Sequence, residues 1–423
     1  MSNKTEEKKM KPAAKRDLVP KLRFPEFRDA GGWKERTFSD VLTEHGQKST
    51  GIEEVFSVSV HKGLVNQIEH LGRSFSASST DHYRRVLPGD IVYTKSPTGD
   101  FPLGIIKQSK LDIPVIVSPL YGVFSPETSA LGALLDAYFE SPENAYIYLE
   151  SLVQKGAKNT ININNRKFLS GTLILPVNKE EQRKIADCLS SIDELVTLEA
   201  QKLDTLKAHK KGLMQQLFPA EGETLPKLHF PEFRDAGEWE EKKAGTLFAN
   251  RIEEGEDGLP IYSVTMNDGM VKRSSLYRKV DDIAESSGNK KAYKDDIAYN
   301  MMRMWQGAFG VSVEDCMVSP AYVVLAPEDK VCSDFFGYLF KLPKYLLLLT
   351  SHSQGLTLDR LRLYYKDFAQ ISPLIPTFLE QQKIADCLSS IDELITAQSQ
   401  KLDVLKTHKK GLMQQLFHSL AKE

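Results

Sequence analysis

The chain has 423 residues, is 41% hydrophobic and 26% charged, and carries a formal net charge of −2. That length exceeds one ordinary core, so two or more domains are expected, and the composition is that of a globular protein rather than a disordered or fibrous one. Near-neutral charge excludes a binder that works by bulk basicity, and no apolar run approaches the roughly 20 residues of a membrane span.

Residues 1–19 are polar and basic with no apolar stretch, which reads as a flexible tail rather than a secretory signal and makes the cytoplasm the default location. The leader PKLRFPEFRDAGGW from Pro20 opens a first block, 20–179. Strand-like runs at 55–60, 90–93, 113–117 and 172–175 share that block with helical stretches near 131–139 and 145–153. A long helix is predicted over 180–218, followed by a linker at 219–225 that begins with the helix-ending Pro219. A second leader, PKLHFPEFRDAGEW from Pro226, opens a second block, 226–378. Its strands are predicted at 261–265, 297–300, 317–325 and 371–373, and its helices near 333–340 and 343–351. A second long helix fills 379–423.

The two long helices are nearly the same sequence. Between 181–219 and 380–418, aligned without gaps, 31 of 39 positions are identical. In the first copy Ile185, Leu189, Ile192, Val196, Leu203, Leu206, Leu213 and Leu217 follow a 4-3-4-3 spacing, interrupted by polar Glu199 and Lys210. In the second copy the same spacing runs through Ile384, Leu388, Ile391, Ile395, Leu402, Leu405, Leu412 and Leu416, interrupted by Gln398 and Lys409. That spacing keeps one stripe facing one partner helix, as in a coiled coil, and the polar seam residues fix register. Pattern alone permits parallel or antiparallel packing; tandem equivalent halves favour a pseudo-twofold and hence antiparallel pair. Asn178 before Glu181, and Thr377 before Glu380, read as capping boxes. Gly212 and Gly411, each costing about 1 kcal/mol in a helix, suggest close approach of a neighbour.

The blocks between these repeats share only traces. Gly89-Asp90-Ile91-Val92-Tyr93 answers Asp295-Asp296-Ile297-Ala298-Tyr299, Ser118-Pro119-Leu120-Tyr121 answers Ser319-Pro320-Ala321-Tyr322, and Gly156 answers Gly355. The fold class is therefore α+β: two pseudo-symmetric mixed domains with an antiparallel coiled coil of two long helices.

Motifs for chemistry are missing from the sequence. There is no GxxxxGK[ST] phosphate loop, no Gly-rich methyl-donor loop, and no Asn/Asp-Pro-Pro-Tyr motif; the two Ser-Pro-x-Tyr segments read as strand-end turns. Pro327-Glu328-Asp329-Lys330 lacks the upstream Asp of a nuclease cluster and reads as a turn. Cys188, Cys316, Cys332 and Cys387 form no CxxC pair and no metal spacing with His, so free thiols and no metal are expected.

A DNA reader would use Arg on guanine and Asn or Gln on adenine, with other cations positioning phosphates. The loop residues of suitable type in the first block are Arg84, Arg85, Lys95, Lys155, Lys158, Asn164 and Arg166. In the second they are Lys272, Arg273, Arg303, Gln306, Arg360 and Arg362.

The doubled EQRKIA/EQQKIA helix openings, the KLDTLK/KLDVLK and HKKGLMQQLF segments and the KLRFPEF/KLHFPEF leaders resemble the specificity subunits of type I restriction–modification systems. The segment from Tyr299 to Ala308 and Ser319-Pro320-Ala321-Tyr322 resemble the core of one of that family's target-recognition domains. The resemblance covers nearly the whole chain beyond residue 19. It implies two target-recognition domains, antiparallel spacer helices, double-stranded DNA as ligand, and no catalysis by this chain. It also implies two adenine-N6 methyltransferase subunits and, in a full complex, restriction–translocase subunits as partners. S-adenosylmethionine, ATP and Mg2+ then belong to those subunits, and none to this chain. The competing reading is a coiled-coil scaffold with two protein- or ligand-binding domains. A self-sufficient methyltransferase or nuclease is disfavoured by the missing motifs.

If the helices act as a ruler between two half-sites, inserting about one helical turn into 196–206 lengthens the gap and leaves both half-sites unchanged. Methylation mapping of the variant complex reads this directly, and an unchanged gap contradicts it.

Overall fold

In a computed structural model, residues 18–71, 79–155, 161–276, 288–357 and 360–417 are described. The expected tail through residue 17, Gly156, Lys158 and the side chain of Lys155 lie outside these residues. The chain divides into two compact units, residues 1–200 with 400–423 and residues 201–399.

In the first unit, a four-stranded antiparallel sheet has the order Leu42–Thr43, Gly122–Pro126, Ile91–Thr94, Ile105–Gln108. The central strand places Ile91 opposite Phe124 on one side and Gln108 on the other. Two smaller antiparallel pairs flank it: Phe56–Ser59 with Gly63–Asn66, and Arg84–Val86 with Val115–Val117. The helices Ser129–Phe139 and Pro142–Glu150 begin where the Thr128 and Ser141 hydroxyls accept backbone N–H groups, as N-caps do. Phe38, Phe124, Phe139 and Phe168 are fully buried, and the Tyr93 ring stacks on Phe168 at 4.8 Å. Each such ring adds about 1.5–3 kcal/mol of burial.

The second unit repeats the plan. Its main sheet has the order Phe248–Arg251, Tyr322–Pro327, Ile297–Asn300, Phe309–Val311. A second sheet runs Met270–Lys272, Ile261–Val264, Cys316–Val318, Lys290–Ala292, with the middle two strands parallel. Phe248, Tyr299, Phe309, Phe335, Phe336, Phe340 and Phe368 fill the core. The strand predicted at 317–325 is two strands, because Tyr322 N–H closes a turn onto the Ser319 carbonyl at 2.9 Å. The strand predicted at 371–373 forms instead one step later, as Leu374–Ile375, paired with Glu240–Glu241.

The long helices are α1 (Lys179–Leu217) and α2 (Phe378–Leu416), 39 residues each and so about 58 Å long. None of the apolar seam residues is exposed. Within the first unit, Ile185 and Leu189 of α1 share a core with Leu416 of α2 and the adjoining Phe417. Asp193 pairs with Lys409 at 2.5 Å, and Glu199 with Lys401 at 2.5 Å. Within the second, Leu217 and Phe218 share a core with Ile384 and Leu388, and Lys210 reaches both oxygens of Asp392 at 2.6 Å. Positions advance along α1 as they fall along α2, so in each unit the helix segments run antiparallel. A Cβ added at Gly212 or Gly411 would meet no atom within 4 Å, so among the described residues no close neighbour requires these glycines.

The helix starts differ from a simple capping box. Asn178 does cap α1, accepting from Glu180 and Glu181 N–H at 2.8 and 3.3 Å. Glu181, however, turns away from the cap to the leader. It accepts from Arg23 Nε and Nη2 at 2.7 Å each and from Trp33 Nε1 at 3.1 Å, and is 1% exposed. The second copy has His229 where the first has Arg23, and His229 Nδ1 stands 3.4 Å from the buried Glu380. Burial pushes the Glu380 carboxyl up, and the neighbouring imidazole pulls it back. Lys184–Glu26 and Lys383–Glu232 repeat a second helix–leader contact at 3.4 Å. The leaders are duplicated because each is the packing partner of a duplicated helix start.

Removing one member of a buried ion pair costs about 3–5 kcal/mol, because the other is left charged and unpaired. Glu181→Ala is therefore expected to destabilise the first unit by about 3 kcal/mol or more. Hydrogen exchange in the start of α1 measures this; protection equal to wild type contradicts it.

Candidate nucleic-acid interface

In the first unit the candidate Arg84 meets Asn165 at one carboxylate, Glu44. Arg84 opens the strand Arg84–Val86, and its Nη1 donates to Glu44 Oε1 at 2.7 Å while its Nε donates to the Pro119 carbonyl at 3.2 Å. Asn165 opens a short helix, Asn165–Leu169, and its Nδ2 donates to the same Glu44 oxygen at 2.7 Å. Lys95 follows the strand Ile91–Thr94 and is exposed. Partial desolvation and then the Arg84 cation push its ammonium down, with Glu44 acting the other way. Arg84, Lys95 and Asn165 thus form one mixed cation–amide patch.

The other first-unit candidates divide. Asn164 is spent on structure: its Oδ1 accepts from Lys167 N–H at 2.9 Å and caps the short helix. Arg166 is exposed and has no acidic partner among the described residues. Arg85 points elsewhere, its Nε 2.8 Å from Glu53, whose side chain is only 3% exposed.

In the second unit, Arg303 and Gln306 sit on the turn that follows Ile297–Asn300. Arg303 Nη1 donates to Gln306 Oε1 at 3.0 Å, and the turn closes through Gly307 at φ 84°, a left-handed conformation that favours glycine. Leu363 N–H donates to the Met301 carbonyl at 2.9 Å, which brings the loop carrying Arg360 and Arg362 beside that turn. Arg360 and Arg362 are exposed, with no acidic partner among the described residues. Lys272 is paired to Glu314 at 2.8 Å, and Arg273 Nε donates to Ser263 Oγ at 3.4 Å. The structure therefore joins Arg303, Gln306, Arg360 and Arg362, and leaves Lys272 and Arg273 on a different strand end.

Sequence reasoning missed Glu44. An acid does not suggest a DNA surface, and Glu44 is 40 and 121 residues from its two partners. Both Ser-Pro-x-Tyr segments are tight turns, Tyr121 N–H closing onto Ser118 at 3.0 Å. Lys330 has φ 64° in the turn after the strand Tyr322–Pro327. Among the described residues, the cysteines are free, no group of three His, Cys, Asp or Glu side chains could hold a metal ion, and no helix is long and apolar enough to cross a membrane.

Residues 112–208 match the family model described as "Type I restriction modification DNA specificity domain". Over the whole chain the fold is similar to that of the type I restriction–modification system S subunit from M. genitalium, with a TM-score of 0.58 and 16% identity. That match covers 96% of this chain and 100% of the other. The HsdS subunit from Thermoanaerobacter tengcongensis matches with a TM-score of 0.42 and 16% identity, covering 92% of this chain and 97% of the other. The similarity is one of fold, and this chain has two α+β units and two long helices. Residues 112–208 are thus similar to a type I specificity domain, in line with the resemblance carried by the doubled helix openings and leaders.

Burial raises the Glu53 carboxyl, but the Thr50 backbone N–H and hydroxyl, with Arg85, more than offset this and hold it at about 2, below its usual 4.5. A depressed carboxyl stabilises the fold above its unfolded pKa and loses that contribution as pH falls through the folded value. Glu53→Gln is expected to flatten the acid-side loss of first-unit stability between about pH 4.5 and 2. Thermal unfolding across that range checks it; an acid limb as steep as wild type contradicts it.

Proposed function

We propose that the chain is the sequence-specific DNA-recognition subunit of a type I restriction–modification complex. It reads a bipartite target, docks two adenine-N6 methyltransferase subunits and, in the full complex, restriction–translocase subunits. The observation that carries this reading is the doubling of one framework with different contents. Each unit presents, next to the same central strand and the same short helix, a patch rich in Arg, Lys, Asn and Gln, and the residues differ between units. Two readers on one framework suit two unlike half-sites.

The physical division of labour follows. Arg84, Asn165, Arg303 and Gln306 are of the types that hydrogen-bond guanine and adenine edges, while exposed Lys95, Arg166, Arg360 and Arg362 position phosphates. The chain supplies binding and orientation. Methyl transfer with S-adenosylmethionine, and ATP- and Mg2+-dependent steps, fall to the partner subunits. The antiparallel helix segments within each unit tie each reader's leader and core to the spacer.

Exchanging residues 226–378 for those of a relative is expected to change one half-site and leave the other intact, read by methylation mapping. Change in both halves contradicts the reading. A sequence-selective footprint that weakens log-linearly with salt, obtained with the methyltransferase partner present, separates this function from a protein-binding scaffold, which gives none.

A further inference from the structure

The first unit holds an arginine and an asparagine on a single carboxylate oxygen, and the second unit carries other residues at the same three places. The strand registers fix the correspondence. Leu42 lies opposite Pro126 and Phe248 opposite Pro327, so Glu44 and Asn250, each two residues further on, are equivalent. Arg84 faces Val117, and Lys290 faces Val318. Asn165 and Tyr365 each open the short helix that buries Phe168 or Phe368.

The framework around these places is kept. Asp90 faces His45 at 2.9 Å and accepts from Leu87 N–H at 2.7 Å. Asp296 holds Arg251 at 2.6 Å and accepts from Tyr293 N–H at 2.8 Å. What differs is Glu44, Arg84 and Asn165 in one unit against Asn250, Lys290 and Tyr365 in the other. In the second unit Lys290 Nζ donates to the Tyr322 carbonyl at 2.6 Å, and Tyr365 donates to the Phe248 carbonyl at 2.7 Å.

The first-unit arrangement leaves recognition groups open. Glu44 Oε1 takes one N–H from Arg84 and one from Asn165. Arg84 Nη2, the second amide N–H of Asn165 and its Oδ1 make no hydrogen bond among the described residues. Gly122 gives the amide its room: a Cβ there would come within 2.7 Å of the Phe124 ring and 3.1 Å of Asn165 Oδ1. The Arg84 and Glu44 side chains are 28% and 32% exposed, within reach of a groove edge yet held in place. A pair fixed before binding loses less conformational freedom on binding.

We propose that Glu44 is a positioning residue that presents Arg84 and Asn165 as the base-reading pair of the first unit, Arg84 to a guanine and Asn165 to an adenine in the major groove. Asn250, Lys290 and Tyr365 hold the equivalent places in the second unit, where Lys290 and Tyr365 donate to backbone carbonyls instead. This rests on the DNA-reading function proposed above.

The test uses the intact chain with its methyltransferase partners, and maps every methylated site. Asn165→Asp replaces the amide donor with an acceptor at a half-exposed position. It is expected to change preference at one base pair of one half-site by about tenfold or more, leaving the other half-site as it was. Glu44→Ala is expected to relax the same half-site at the base pairs relaxed by Arg84→Ala and Asn165→Ala, and Glu44→Gln, which keeps an acceptor oxygen, to restore them. A purely structural Glu44 would not give that base-by-base match. An unchanged site set in Asn165→Asp, or equal relaxation of both half-sites, overturns the proposal. Absence of any sequence preference in the wild-type complex overturns the DNA-reading function instead, and the proposal with it.

Discussion

Two helices that share a 4-3-4-3 apolar seam must cover it, and the rest of this molecule is arranged around how they do so. Within each unit the start of one long helix lies against the end of the other, and the ion pairs Asp193–Lys409 and Lys210–Asp392 interrupt the seam at equivalent heights. Apolar side chains supply the attraction, and the polar pairs penalise sliding, since a shift in register leaves a charge half-buried without its partner. The buried carboxylates Glu181 and Glu380 then fasten a leader to each helix start. Every reader core is therefore continuous with a segment of the paired helices.

On the proposed function, a DNA reader that is nearly neutral overall has to hold its cations in place rather than accumulate them. Several of its basic residues are consumed in ion pairs: Arg85 with Glu53, Lys272 with Glu314, Lys291 with Glu256. Such pairs lower nonspecific attraction to phosphate while leaving a few oriented donors. Arg84 stands between these roles, since its tether to Glu44 leaves one terminal nitrogen free.

The repeats, the seam residues and most strands and helices were legible in the sequence because they depend on local period. The helices Ser129–Phe139 and Pro343–Ser351 start and stop within a few residues of where the pattern places them. Turn geometry was less legible, so one predicted strand became two at Ser319-Pro320. The interface was legible only as a set of residue types. Arg84 and Arg85 are neighbours in sequence, yet strand alternation sends one to Glu44 and the other to Glu53. Asn164 and Asn165 look interchangeable, but one is a helix cap and the other an open amide. Only tertiary contacts separate them. Among the described residues nothing would obstruct a side chain at Gly212 or Gly411, and nothing in the structure explains these glycines.

The antiparallel pairing is the claim on which the arrangement of leaders, cores and readers depends, and an electron-spin distance tests it most directly. Labels at residues 193 and 409 sit on ion-paired positions of facing helices. The account predicts a short, narrow distribution set by the roughly 8–10 Å separation of packed helices and the label arms. Parallel helices would displace the two labels along the axis by about 25 Å more, and a distribution centred there, or none below it, would contradict the account.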